Sequence, residues 1–142
     1  MPNKENIAYS IAKLNVKQFA IINDLYDKES KDIDISIGIK VGSNIEKKDI
    51  VVVLKVEFIQ KKKPFIILET ESFYKTDDDF WDNLEKSSDN DIPKNLAVRL
   101  LNISLGTFRG ILFEKLNNTE FDEFLFPLIN ADELLENGEN KK

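Results

Sequence analysis

From Lys13 to Leu25 the chain reads KLNVKQFAIINDL, a loose alternation with Leu14, Val16 and Gln18 on one side and Asn15, Lys17, Phe19 and Ile21 on the other. A period of two predicts a strand. The alternation is cleaner from Ile33 to Val41, where Ile33, Ile35, Ile37, Ile39 and Val41 share a face. An antiparallel strand with one wet face reads this way. Ile50 to Gln60, IVVVLKVEFIQ, is the strongest strand, and Phe65 to Lys75, FIILETESFYK, is a fourth. The link between these two is so short that they form a hairpin. The polar stretches YDKESKD and GSNIEKKD read as the earlier connections.

After the strands the period changes. Thr76 to Pro93 is polar and acidic, and Asp78 or Asp79 suits the N-cap of a short helix with Phe80, Trp81 and Leu84 on one side. Pro93 suits a helix start. From there to Leu116 or Asn117 the pattern is helical, with Leu101, Leu105, Phe108, Leu112 and Leu116 in one row and Leu96, Leu100, Ile103, Thr107 and Ile111 in a second. Arg99, Asn102, Gly106 and Arg109 leave only a narrow polar stripe. Asn117 and Asn118 suit its end. An aromatic-rich extended segment, TEFDEFLFPLIN, leads to a short helix near Ala131 to Glu136. Strands followed by helices predict an α+β fold. It has a four-stranded antiparallel sheet, with the long helix and the short closing helix packed on one face. Residues 1–136 form a single domain, and 137–142 read as a disordered tail.

Two apolar rows exceed what one sheet needs, since an apolar stripe of about 100° already covers it. The second row calls for another partner, either the monomer's own interior or a second subunit. Gly106 and Gly110 lie four apart and let another backbone come close. Arg109 either reaches solvent, pairs with a carboxylate or fixes the helix from a buried position.

Composition narrows the chemistry. The 142 residues make one domain's worth of chain, with 42% hydrophobic and 32% charged positions. Cysteine and histidine are both absent, which excludes disulfides, thiolate nucleophiles, triad hydrolases and the usual zinc sites. The net charge of -6 argues against nucleic acid as a partner. No run approaches the roughly 18 to 20 unbroken apolar residues of a membrane span, and MPNKENIAYS lacks the apolar core of a secretory signal. A cytoplasmic protein without metal or cofactor is expected. Lys61, Lys62 and Lys63 read as a solvated hairpin tip, and the aspartates near 77–82 do not follow a calcium loop. Glu57, Glu69 and Glu71 are the carboxylates an enzyme would need, but Glu alternating with Thr on a wet strand face is ordinary. No enzymatic activity is expected.

Five stretches in order resemble the SecB family, the tetrameric export chaperone and its diverged relatives. SIAKLNVKQFAI resembles the family's opening strand, while IVVVLKVEF and FIILETESF are similar to its central strands. NLAVRLLNISLGTFRGIL stands where the long helix carries its arginine, here Arg109, and TEFDEFLFPLINADELL resembles the closing segment at Thr119, Phe121, Pro127 and Asn130. The resemblance implies an ATP-independent holdase that binds unfolded polypeptides in apolar grooves, without cofactor or nucleotide. It implies a homotetramer, a dimer of dimers, whose long helices meet between the sheets. The interface residues would be Leu101, Leu105, Gly106, Phe108, Gly110 and Leu112. Groove-lining residues would be Phe19, Ile21, Phe80, Trp81, Phe121, Phe124 and Phe126, with core packing the competing assignment for each. The acidic positions through which the family docks the motor SecA are Gln18, Ile22 and only Glu69 here, and the crossover loop is reduced to the YDKESKD region. SecA is therefore a doubtful partner. Guarding an antitoxin, serving a narrow client set, or binding one specific protein as an interaction module are the alternatives.

Overall fold

The structure is a computed structural model, and it describes residues 9–86, 92–124, 126 and 129–140. Four antiparallel strands, β1 (Tyr9–Ile21), β2 (Asp34–Asn44), β3 (Asp49–Gln60) and β4 (Lys63–Thr76), form one sheet in the order β1-β4-β3-β2. Three helices follow: α1 (Asp78–Lys86), α2 (Lys94–Leu116) and α3 (Ala131–Asn140). The α+β architecture expected from the pattern is present.

The central strands are the simplest. Ile50, Val52, Leu54, Val56 and Phe58 of β3 point to one face, and all are buried. Opposite them in β4 stand Tyr74, Ser72, Thr70, Leu68 and Ile66. Ile35, Ile37, Ile39 and Val41 of β2 face the same way, paired with Phe58, Val56, Leu54 and Val52. The β3–β4 turn is Lys61-Lys62, both with positive φ, at 52° and 66°. A two-residue turn with both central residues left-handed matches strand twist, though it usually recruits Asn and Gly.

β1 departs from the expected faces. It begins at Tyr9 rather than Lys13 and ends at Ile21, and its ladder with β4 shifts register between Ile11 and Lys13 and again between Val16 and Gln18. Each bulge inserts a residue and reverses the alternation. Tyr9, Ile11, Leu14, Val16, Phe19 and Ile21 therefore all share the inner face, opposite Thr76, Tyr74, Ser72, Thr70, Leu68 and Ile66.

The short helix is capped by Asp77, not Asp78 or Asp79: Asp77 Oδ1 accepts the Phe80 amide at 3.0 Å. Helix α2 packs on β3 and β4, and α3 packs on α2 and β2. Nine residues of α2 are buried, among them Leu96, Leu100, Leu101, Leu105, Phe108 and Leu112. Tyr74 anchors α2 to the sheet, with its hydroxyl 2.8 Å from Ser104 Oγ and donating to Leu100 O at 3.4 Å. By length and mean hydropathy alone α2 could cross a membrane, although Arg99, Asn102 and Arg109 keep it from being an unbroken apolar run. Within its apolar window 44% is buried inside the fold.

The closing segment is built by local hydrogen bonds. Asn118 takes a positive φ of 66° just past α2. Thr119 Oγ1 donates to Leu116 O at 2.7 Å and accepts the Phe121 amide at 3.1 Å, turning the chain so that Phe121 enters the core. Asn130 Oδ1 accepts the Asp132 amide and starts α3. Helix α3 runs to Asn140, beyond the expected end at Glu136, so most of the segment read as a tail is helical. Pro127 and residues 141–142 lie outside the described residues.

Candidate functional site

Five rings gather where the β3–β4 turn meets the segment after β1. Tyr26 lies 5.0 Å from Phe65, 4.8 Å from Phe121 and 6.0 Å from Phe124. Phe58 completes the group, 5.8 Å from Phe124 and 6.5 Å from Phe65. Separations and tilts of this kind are those that aromatic pairs prefer. Phe58, Phe65 and Phe121 are buried, whereas Tyr26 and Phe124 are half-buried. The fold thus gathers Phe121 and Phe124, two of the expected groove residues, with three rings the sequence pattern did not single out. An aromatic inside the otherwise polar YDKESKD was the available signal for Tyr26.

The other expected lining residues lie elsewhere. Phe80 and Trp81 stack edge to face at 5.1 Å and are buried in the core, so neither presents surface to a polypeptide. Phe126 is buried against Phe108 at 5.2 Å, with the Arg109 guanidinium 5.7 Å above its ring. Arg109 therefore places its charge on an aromatic face, while its buried Nε has no hydrogen-bond partner among the described residues. Phe19 and Ile21 are half-buried on β1, and Lys115 Nζ sits 5.7 Å over the Phe19 ring.

The expected interface residues also divide. Leu101, Leu105, Phe108 and Leu112 are buried on the sheet side of α2, so they form this chain's own core and not an open contact surface. Gly106 and Gly110 lie on the opposite side, where an added Cβ would meet nothing within 4 Å. Ile103 and Phe113 flank them at helical spacing (103, 106, 110, 113), and their exposures are 39% and 65%. Along β1, Ile11, Leu14 and Val16 are 51%, 39% and 43% exposed. The described helices pack on β2, β3 and β4 and leave this row uncovered.

The polar groups are arranged differently. Glu57, Glu69 and Glu71 stand on the outer face of the sheet, away from the helices. Glu71 accepts from Asn15 Nδ2 at 3.4 Å and pairs with Lys17 at 3.6 Å. Among the described residues no three metal-ligating side chains converge. Lys61 Nζ pairs with Asp27 at 3.1 Å, so the hairpin tip is tied to the loop. The Glu29 amide and then Lys61 hold the Asp27 carboxyl below its usual range. Comparison with known proteins finds no family model and no curated sequence that matches the chain.

Proposed function

We propose that this protein is an ATP-independent holdase of the SecB-like kind. It binds unfolded or unstable polypeptides and assembles through the outward side of α2. The observation that carries the reading is the apolar surface left open on the helix-bearing side of the sheet. It comprises the β1 row of Ile11, Leu14 and Val16, and Ile103 and Phe113 beside two bare glycines on α2. Large apolar side chains left exposed together on a strand or a helix face suit an interaction site. Gly106 and Gly110 allow a second helix to approach closely, and the flanking Ile103 and Phe113 supply the area that would hold it.

The fold supports the reading in the elements it shares with the resemblance: the four-stranded sheet, the long helix, and the closing segment turned by Thr119 and capped by Asn130. The mechanism is mass action. Binding the unfolded state of a client lowers its free concentration and delays both folding and aggregation. Loosely specified apolar contacts tolerate many client sequences. The reading needs neither catalysis nor SecA.

The test is suppression of aggregation when a urea-unfolded, slow-folding client is diluted into buffer with this protein and no nucleotide. The reading predicts that light scattering from the client falls in proportion to added protein, and that the two co-elute. A client that aggregates at its unassisted rate at any ratio would overturn it.

A further inference from the structure

The two edges of the sheet are built differently. On β1 the ladder breaks register twice, and Lys13 and Lys17 stand along it. Bulges and lysines are devices that keep a sheet edge from pairing with another chain. On β2 the ladder is unbroken: all eleven residues pair with β3 without a shift. No proline interrupts it, and Lys40 is its one lysine. No strand lies beyond β2, and among the described residues no loop or helix backbone bonds to it. One row of its N–H and C=O groups therefore faces outward.

The glycines of β2 point the same way. Gly38 and Gly42 lie on the outer face, on either side of Lys40. Neither takes a positive φ. An added Cβ would meet only Lys55 O at 3.9 Å from Gly38, and only Val51 Cγ1 at 3.6 Å from Gly42. Nothing within the chain calls for glycine there, and each weakens the strand. Glycine inside a strand often marks the close approach of another backbone.

The strand is also complementary to itself. Laid antiparallel on a second copy with Ile37 on the two-fold axis, it sets Ile35 opposite the partner's Ile39 and Ser36 opposite the partner's Gly38. Asp34 then falls opposite the partner's Lys40, and each of these pairs occurs twice. No other register of β2 on itself brings Asp34 against Lys40. Neither residue has an ion-pair partner among the described residues. The apolar pairs fall on the inner face, where Ile35 is 38% exposed. β-branched pairs and opposite charges directly across a ladder both stabilise it.

We propose that β2 is a dimerisation edge, which pairs antiparallel with β2 of a second copy about Ile37 and continues the sheet across both chains. The contact is isologous and closes on itself, so it consumes the open edge without propagating. It lies apart from the contact proposed on α2 and does not rest on the holdase reading.

The chain has no cysteine, so a single introduced cysteine is its only thiol. Residues directly opposite in an antiparallel ladder have Cα atoms about 4.5–5.5 Å apart, inside the range of about 4.4–6.8 Å that a disulfide spans. Ile37→Cys meets its own copy at the axis. Ile35→Cys and Ile39→Cys each lie about 14 Å from theirs, four residues at about 3.4 Å each. The three full-length variants are oxidised with copper phenanthroline under native conditions, their fold checked by circular dichroism, and the dimer scored on a non-reducing gel. The proposal predicts about fivefold or more dimer for Ile37→Cys than for either neighbour. Adding Lys40→Asp sets like charges across both pairs and lowers the Ile37→Cys dimer about fivefold, and adding Asp34→Lys as well restores it. Equal cross-linking at the three positions overturns the pairing, as does a charge reversal that changes nothing or is not rescued. Should Ile37→Cys not fold, mixed Ser36→Cys and Gly38→Cys chains, both altered on the outer face, replace it. The mixture then cross-links well above either chain alone, and a mixture that does not overturns the proposal. Cross-linking as predicted in a protein that retains no unfolded client leaves the pairing in place and removes the holdase reading alone.

Discussion

The inner rows of β3 and β1 are both apolar, yet one is buried and the other is not. In β3, Ile50, Val52, Leu54, Val56 and Phe58 are sealed beneath the helix layer. In β1, Ile11, Leu14 and Val16 face the same side and remain about half exposed. The difference lies in the cover. Helix α2 packs on β3 and β4, and α3 on β2. Side-chain pattern thus states that a row is apolar, not what lies on it. Two bulges have brought β1's apolar residues to one face, which serves burial only if something covers that face. The proposed function supplies the cover from another molecule.

The largest expected effect sharpens this contrast. Leu54→Ala should lose about 2–5 kcal/mol of stability, because it leaves a cavity in a packed core. Leu14→Ala should lose under about 1 kcal/mol of intrinsic subunit stability, since its site is already half in water. Urea titration of both variants measures the pair, and equal losses would mean that β1 is as deeply packed as β3.

Next comes the anchor between sheet and helix. Tyr74→Phe removes the hydroxyl beside Ser104 and should cost about 1–2 kcal/mol by urea titration, as it strands a buried polar partner. Burial raises the Tyr74 phenol above its usual value of about 10. As the pH climbs past that value the unfolded chain ionises first. The contribution to stability is therefore full below it and lost as pH rises toward the folded pKa. The alkaline limb of a stability–pH curve should be shallower in Tyr74→Phe than in wild type.

The smallest effect concerns the turn. Lys62 holds a φ of 66° that a side chain disfavours. Lys62→Gly should raise stability by about 0.5–1 kcal/mol, read as a higher urea midpoint. A lower midpoint would show that the lysine makes a compensating contact.

Much of the fold was legible, and the misses have physical causes. The alternation of β2, β3 and β4 marked both the strands and their inner faces. In β1 the bulges reversed that alternation twice, so a strict period put Phe19 and Ile21 on the wrong side from Leu14 and Val16. In α2 the two apolar rows were visible. Which side met the sheet was not, and the rows offered as an interface include the buried Leu101, Leu105, Phe108 and Leu112. Ile103 and Phe113 carried the outward signal by flanking both glycines. Gln60 was also readable, since it is the polar residue in phase with β3's inner row. Its partners Asp27 and Ser30, in a loop thirty or more residues away, were not.

On the proposed function, the open apolar surface is a contact surface for other chains. This is tested most directly by the solution mass of wild type beside Phe113→Asp and Leu14→Asp, by light scattering. The expected wild-type mass is near four times 16.4 kDa. Both variants should fall to smaller species with unchanged circular dichroism. A wild-type mass of a single 16.4 kDa chain, unaltered by either substitution, would contradict it.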